Sequence, residues 1–364
     1  MKRWQLARTS STTLWIAIAV CVAAAALIAG LVRASPPAAS ADDRLRHLTL
    51  SEQGDVYGYA VYIPPGLKPG AAAPLVVVMH GCTMTADQMA AASDYDALAA
   101  REHFIVLYPD VDAADATYNR CWKGIYAPGT EGRARGDAVA IVDMASAVMK
   151  QWRVDPARDY AIGISAGAFE AAVLGTFYPD VFAAIGMHSG AAYMGGEPPC
   201  LLDNQGTSAP DTNTETDTLA HAAAAAMGPR ARVMPVFVIH GDADDTIPYA
   251  CGPQAVAQWL SVDNLSLKQA GRPAVSTSPT RVRNGTIAGG RGYTVLTYDD
   301  TSGCTLAQMW TVHGMGHIWS GGTSDPSSAR YSDPKGPSAA KASWAFFSRW
   351  RLSGPIEPCT EPSS

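Results

Sequence analysis

Basic residues are scarce in this chain of 364. Its 27 lysines and arginines are outnumbered by 33 acids, giving a formal net charge of −6. With no basic stripe there is nothing to displace the counterions condensed on a nucleic-acid backbone, so a nucleic-acid partner is excluded. No two cysteines form a CxxC pair and no histidine stands at zinc-finger spacing, so a structural metal is not expected. Internal repeats are absent, which excludes solenoids and propellers. Long apolar runs are absent too, save one.

That run, 14–32, follows a short basic stretch carrying Lys2, Arg3 and Arg8 and precedes the small and proline-rich segment Ser35-Pro36-Pro37-Ala38-Ala39-Ser40-Ala41. The order is that of an export signal, although the apolar stretch is long enough to serve as an uncleaved anchor. We therefore expect residues 1–41 to be a signal peptide or N-terminal anchor plus linker. The protein is expected to be secreted or periplasmic, touching a membrane only if this segment is retained. Cys21 sits inside the run and reads as a small apolar residue. Six cysteines remain (Cys82, Cys121, Cys200, Cys251, Cys304 and Cys359), an even number that fits disulfides in an oxidising compartment. Their pairing is not readable from spacing.

From residue 42 onward no second linker interrupts the chain, and a single catalytic domain, 42–364, is expected. Short apolar runs at 57–63, 75–80, 104–108, 160–164, 182–188 and 233–240 read as strands. Helical patterns lie between them at 87–101, 137–152 and 166–177. The run Pro74-Leu75-Val76-Val77-Val78-Met79 is apolar without alternation, as in a parallel strand covered on both faces. The class is α/β. The alternation breaks between 190 and 232, a length expected of a lid-like insertion. A helix near 253–261, strands near 293–298 and 308–312, and a closing helix near 338–350 complete the pattern. No C-terminal binding module is expected in the short tail beyond Leu352.

Gly163-Ile164-Ser165-Ala166-Gly167 is a G-x-S-x-G pentapeptide between a strand pattern and a helix pattern, the setting of a nucleophile elbow. A serine hydroxyl is a weak nucleophile and needs a base oriented by an acid, which in this architecture follow the serine in the order acid, then histidine. The apolar strand ending in His240-Gly241-Asp242-Ala243-Asp244-Asp245 opens into an acidic loop, where Asp244 is the preferred acid and Asp242 and Asp245 are its rivals. Calcium binding is not expected there, since the acids lack EF-hand spacing. Further on, His313 and His317 share a glycine-rich loop, and one of them is expected to be the base. Gly314 and Gly316 oppose the helix that a zinc-binding pair would need. His47, His103, His188 and His221 read as structural or surface residues. The oxyanion of acyl transfer needs two N–H donors. These are expected from Ala166, after the nucleophile, and from the backbone of Cys82 in His80-Gly81-Cys82-Thr83, the loop closing the 75–80 strand. No metal or organic cofactor is required by this set.

Together these residues resemble the polyhydroxybutyrate depolymerase family of esterases, short-chain type, which borders the feruloyl and acetylxylan esterases. The likeness runs over 57–352. Its markers are His80-Gly81-Cys82, Asn119-Arg120-Cys121-Trp122, Val154-Asp155-Pro156, the elbow, Tyr178-Pro179-Asp180-Val181-Phe182, His240-Gly241-Asp242-Ala243-Asp244, Gly314-Met315-Gly316-His317 and Asp333-Pro334-Lys335-Gly336-Pro337. The resemblance implies an α/β-hydrolase fold, Asp244 as acid, His317 as base, and a disulfide from Cys82 to Cys121 bracing the oxyanion loop. It is a likeness to the catalytic domain alone and does not pair Cys200, Cys251, Cys304 and Cys359. The implied activity is hydrolysis of small, oligomeric or polymeric esters of short 3-hydroxyalkanoates. Alternatives are feruloyl or acetyl esters of plant polysaccharide, and acyl transfer or peptide hydrolysis on the same triad. Trp122, Tyr126 and Trp319 are candidates to line an acyl or aromatic pocket, with core packing as the alternative.

Overall fold

Runs of β-branched and aromatic residues with no polar interruption can be satisfied only where both faces of a sheet are covered, and such strands form the centre of this molecule. In a computed structural model, β3 (Ala73–Met79), β4 (Ile105–Pro109), β6 (Phe182–His188) and β7 (Val236–Gly241) are buried at every position. The structure describes residues 44–357 and 359, except 53, 68–71, 112–118, 126–130, 194–211, 326–327 and 329. The expectations for the N-terminal segment, Tyr126 and Cys200 lie outside these residues.

One ten-stranded sheet carries the fold, in the order β1-β2-β4-β3-β5-β6-β7-β10-β9-β8. Here β1 is Leu45–Glu52, β2 Asp55–Tyr62, β5 Val154–Ile164, β8 Arg281–Thr286, β9 Gly292–Asp299 and β10 Thr305–Val312. Strands β4, β3, β5, β6, β7 and β10 run parallel to one another, and the edge pairs β1-β2 and β9-β8 join them through antiparallel β2-β4 and β10-β9. Parallel strands end on the same side. The loops after β3, β5, β6, β7 and β10 therefore meet along one edge, where ligands bind in open α/β sheets. This is the α/β-hydrolase fold. Both outer strands, β1 and β8, lay outside the sequence pattern because sheet edges need no apolar run, and β8 (Arg-Val-Arg-Asn-Gly-Thr) is almost wholly exposed.

The helices depart from expectation in three places. The pattern at 87–101 divides into α1 (Ala86–Ser93) and α2 (Tyr95–Glu102) at Asp94, whose left-handed backbone (φ 64°) ends one helix and opens the next. α1 begins at a reciprocal capping box between Thr85 and Gln88, which satisfies two otherwise orphaned amides. After α3 (Asp137–Gln151) and α4 (Ala166–Phe177), the expected lid-like insertion at 190–232 contains α5 (Thr212–Met227). Leu219, Ala220, Ala223 and Met227 are buried, and α5 packs on α4 and on α6 (Cys251–Gln269). These apolar residues at helical spacing join the core. The last helix, α7 (Ala339–Phe347), stops before Trp350, which pairs in a short strand with Pro355. Among the described residues no helix is long and apolar enough to cross a membrane.

Candidate active site

Ser165 sits between β5 and α4 with φ 56° and ψ −124°, a conformation that L-residues adopt only under constraint. The constraint is the pentapeptide itself. A Cβ on Gly163 would overlap the backbone of Gly167, and one on Gly167 would lie 2.5 Å from the Met79 carbonyl oxygen and 2.6 Å from that of His80. Two glycines thus let α4 start directly against β5 and β3, which turns the serine out of the sheet. The Ser165 amide donates to the His188 carbonyl at the end of β6 (3.0 Å), fixing the turn on its other side.

The loops after β7 and β10 bring acid and base together. His317 Nδ1 lies 2.9 Å from Asp244 Oδ2 and 3.1 Å from Oδ1. The same carboxylate accepts the backbone amides of Thr246 (3.0 Å) and Ile247 (2.9 Å). Burial opposes charge on Asp244, whose side chain is 0% exposed, but hydrogen bonds from His240 and His317 and the backbone hold its pKa well below the usual carboxylate range. A close approach of the two loops makes the pairing possible, since a Cβ on Gly241 would overlap the Met315 carbonyl.

Asp242 and His313 form a second pair alongside (2.8 Å), with Asp242 also accepting the Gly314 amide. That pair is more exposed, and the other ring nitrogen of His313 meets Thr294 Oγ1 at 3.0 Å. Both nitrogens of His313 are therefore engaged. His317 uses only Nδ1, and among the described residues its Nε2 has no partner. Asp245 is exposed and, among the described residues, its side chain is bonded to Thr246 alone.

Ser165, the Asp244–His317 pair and Cys82 occupy the common sheet edge, following β5, β7, β10 and β3. Among the described residues no hydrogen bond joins Ser165 Oγ to His317, and such bonds commonly tighten only when substrate is bound. No carbonyl of the described residues accepts from the Cys82 or Ala166 amide, so both are free to donate elsewhere. The Ala166 amide also lies at the start of α4, where the helix dipole favours negative charge. Cys82 is disulfide-bonded to Cys121, and the Thr83 amide donates to the Asn119 carbonyl (2.8 Å), tying the two loops together. Beneath them, Asp110 takes His80 Nε2 (3.1 Å), the Ala86 amide and Arg120. Cys304 is bonded to Cys359, and Cys251 is disulfide-bonded as well.

Two histidines that sequence reasoning passed over belong to this neighbourhood. His188 is fully buried against Trp319 (centroids 4.9 Å apart), and its Nε2 accepts the Ser320 amide at 2.8 Å. Burial, then the neighbouring His240 and His317, push its pKa well below the ordinary value, so it is neutral. His240, also fully buried, has Nε2 2.9 Å from the Ile247 carbonyl oxygen and 3.4 Å from Asp244 Oδ2. Its place four residues before Asp244, at the end of an apolar strand, was the available signal. Trp122 and Trp319 are fully buried, the first donating to the His80 carbonyl (2.8 Å), so both are core rather than pocket lining. Among the described residues no group of histidines, cysteines and acids is placed to hold a metal ion.

Comparison with known proteins extends this picture. Residues 57–280 match the family described as esterase, PHB depolymerase. Over 266 residues the chain is 30% identical to poly(3-hydroxyalkanoate) depolymerase C of Paucimonas lemoignei, covering 70% of this chain but 57% of that one. Feruloyl esterase B of Talaromyces stipitatus is 28% identical over 263 residues, 71% of this chain and 67% of its own length. An acetyl xylan esterase from Aspergillus awamori shares the fold, with a TM-score of 0.59 at 20% identity over 83% of this chain and 99% of that one. With more than half of its length matched by one family model, the chain belongs to the PHB depolymerase family of esterases.

Proposed function

We propose that this chain is an exported serine carboxylic-ester hydrolase, with residues 1–41 serving export or anchoring and 42–364 forming the catalytic domain. Ser165 Oγ attacks the ester carbonyl while His317 Nε2 takes its proton. Asp244 orients the imidazole and stabilises the imidazolium. The Cys82 and Ala166 amides hold the oxyanion, each such donor being worth about 100- to 1000-fold in rate. Collapse of the tetrahedral intermediate returns the proton to the departing alcohol and leaves an acyl-Ser165. A water molecule, deprotonated by His317, then releases the acid.

The observation that carries this reading is the contrast between the two His–Asp pairs. Among the described residues, only His317 combines a buried carboxylate on Nδ1 with an Nε2 that has no partner, on the edge where Ser165 is turned out of the sheet. Its preferred substrates are short-chain 3-hydroxyalkanoate esters, in line with the depolymerase relative. Feruloyl or acetyl esters are the second reading, favoured by the esterases it also matches. Hydrolysis of p-nitrophenyl butyrate by the wild type and by Ser165→Ala tests the mechanism. Turnover retained in the variant sinks it. Competition between 3-hydroxybutyrate trimer, methyl ferulate and acetylated xylan then ranks substrates by kcat/KM.

A further inference from the structure

We infer that His240 is a positioning residue for this reaction, its ring N–H holding the Asp244 carboxylate in the orientation His317 requires. The inference rests on the triad proposed above.

Three observations carry it. First, the tautomer of His240 follows from its partners. Nε2 faces a carbonyl oxygen, which can only accept, so the proton lies on Nε2. Among the described residues the buried Nδ1 has no hydrogen-bond partner. The ring directs its Nε2–H at the Ile247 carbonyl (2.9 Å), with Asp244 Oδ2 3.4 Å from the same nitrogen.

Second, His240 closes the strand side of Asp244. Thr246 and Ile247 amides converge on Oδ1, His317 Nδ1 reaches Oδ2 at 2.9 Å from the substrate side, and His240 Nε2 approaches the same Oδ2 to 3.4 Å from the strand side. The Asp244 side chain is fully buried, so bulk water is not at hand to replace it. With its strand side opened, a buried carboxylate is able to shift toward its remaining partners, His317 among them.

Third, His240 holds both ends of the turn at once. Its Nε2 bonds the carbonyl of Ile247, the residue whose amide donates back to Asp244, and stands 3.4 Å from Asp244 Oδ2 itself. The ring is itself held edge-on to Tyr249 (6.1 Å) and lies against Gly252, where a Cβ would come within 3.2 Å of it. The titratable groups facing this cluster are Asp244, His188, His317 and Tyr249.

The consequence has a sign. Without the His240 donor, the Asp244 charge is concentrated on the oxygens facing His317, which favours the imidazolium. The pKa governing the acid limb of kcat/KM therefore rises. In His240→Leu we expect kcat on p-nitrophenyl butyrate to fall by about 10- to 100-fold, KM to change little, and the acid limb to move up by roughly half a pH unit or more. His240→Gln, whose amide reaches the Nε2 position, should restore the limb and most of kcat. His240→Asn, whose donor stops short, should not, and it replaces the leucine variant if that chain fails to fold. An unmoved acid limb in the donor-less variant, or a Gln variant no better than Leu or Asn, overturns the inference. Ser165→Ala is assayed in parallel: activity surviving there condemns the triad itself, whereas an inactive Ser165→Ala with an unchanged His240 profile condemns only the role of His240.

Discussion

Replacing Asp244 with asparagine keeps the shape of the side chain and inverts one half of its hydrogen bonding. The native carboxylate accepts from two backbone amides through Oδ1 and from His317 through both oxygens. If the asparagine oxygen stays with the Thr246 and Ile247 amides, its NH2 group must face His317 Nδ1 and the His240 N–H. His317 then accepts at Nδ1 and carries its proton on Nε2, the tautomer that cannot take a proton from Ser165. In a serine hydrolase this tautomer error costs about 10⁴ in kcat, or roughly 5 kcal/mol of barrier. The confrontation of two donors costs a further ~1–3 kcal/mol, in stability rather than in chemistry. We expect kcat on p-nitrophenyl butyrate to drop by about three to four decades, KM to change little, and the melting temperature to fall by several degrees. Raising the pH should not rescue the variant. Asp242→Asn is the internal control: it disturbs an exposed pair whose histidine has no free nitrogen, and should stay within about threefold of wild type. An Asp244→Asn enzyme within tenfold of wild type, or an Asp242→Asn enzyme that is dead, would refute the reasoning.

Other expectations follow from the same coordinates. Gly167→Ala drives a methyl group into the Met79 and His80 carbonyls, so the helix must retreat from β3; activity should be lost and stability should fall by about 1–3 kcal/mol in urea unfolding, and a fully active variant would show that the elbow is not constrained there. Cys121→Ala opens a loop of 39 residues' separation, worth about 4 kcal/mol by loop-closure entropy. It should also depress kcat more than KM by loosening Cys82, and an unchanged kcat would separate the disulfide from the oxyanion loop. Burial, then the charge of Asp137, raises the Glu131 carboxyl to about 7, so the native state retains a proton that the unfolded chain releases from near 4.5 upward. That contribution to stability is present below 4.5 and is lost as the pH rises toward 7. The stability of wild type relative to Glu131→Gln, from chemical denaturation at pH 5 and pH 8, should therefore be lower at pH 8. The opposite trend would mean that Glu131 is ionised throughout.

Much of the site was readable along the chain because its parts are local. The elbow needs glycine two residues before and two after the serine, and both are in the pentapeptide. The parallel strands β3, β4, β6 and β7 announce themselves as apolar runs because both their faces are covered. Edge strands carry no such mark, since one side of β1 and nearly all of β8 meet solvent, and neither was found. Within the insertion at 190–232, contact with α4 and α6 makes the stretch around Leu219, Ala220 and Ala223 a core helix.

What the sequence by itself determined is the inventory and its order: a strained serine between strand and helix, an acidic loop after one strand, a histidine loop after another, and cysteines enough to brace them. Each is written in residues a few positions apart, where backbone sterics and periodicity act. What only the tertiary structure decided is which groups touch. It pairs Asp244 with His317 and Asp242 with His313, buries Trp122 and Trp319 in the core, and sets His240 and His188 around the acid. Those choices depend on strands β5, β6, β7 and β10 lying side by side with their ends on one edge. Residues more than 70 positions apart are brought within hydrogen-bond distance there, and the strength of each contact is set by burial that no local pattern records.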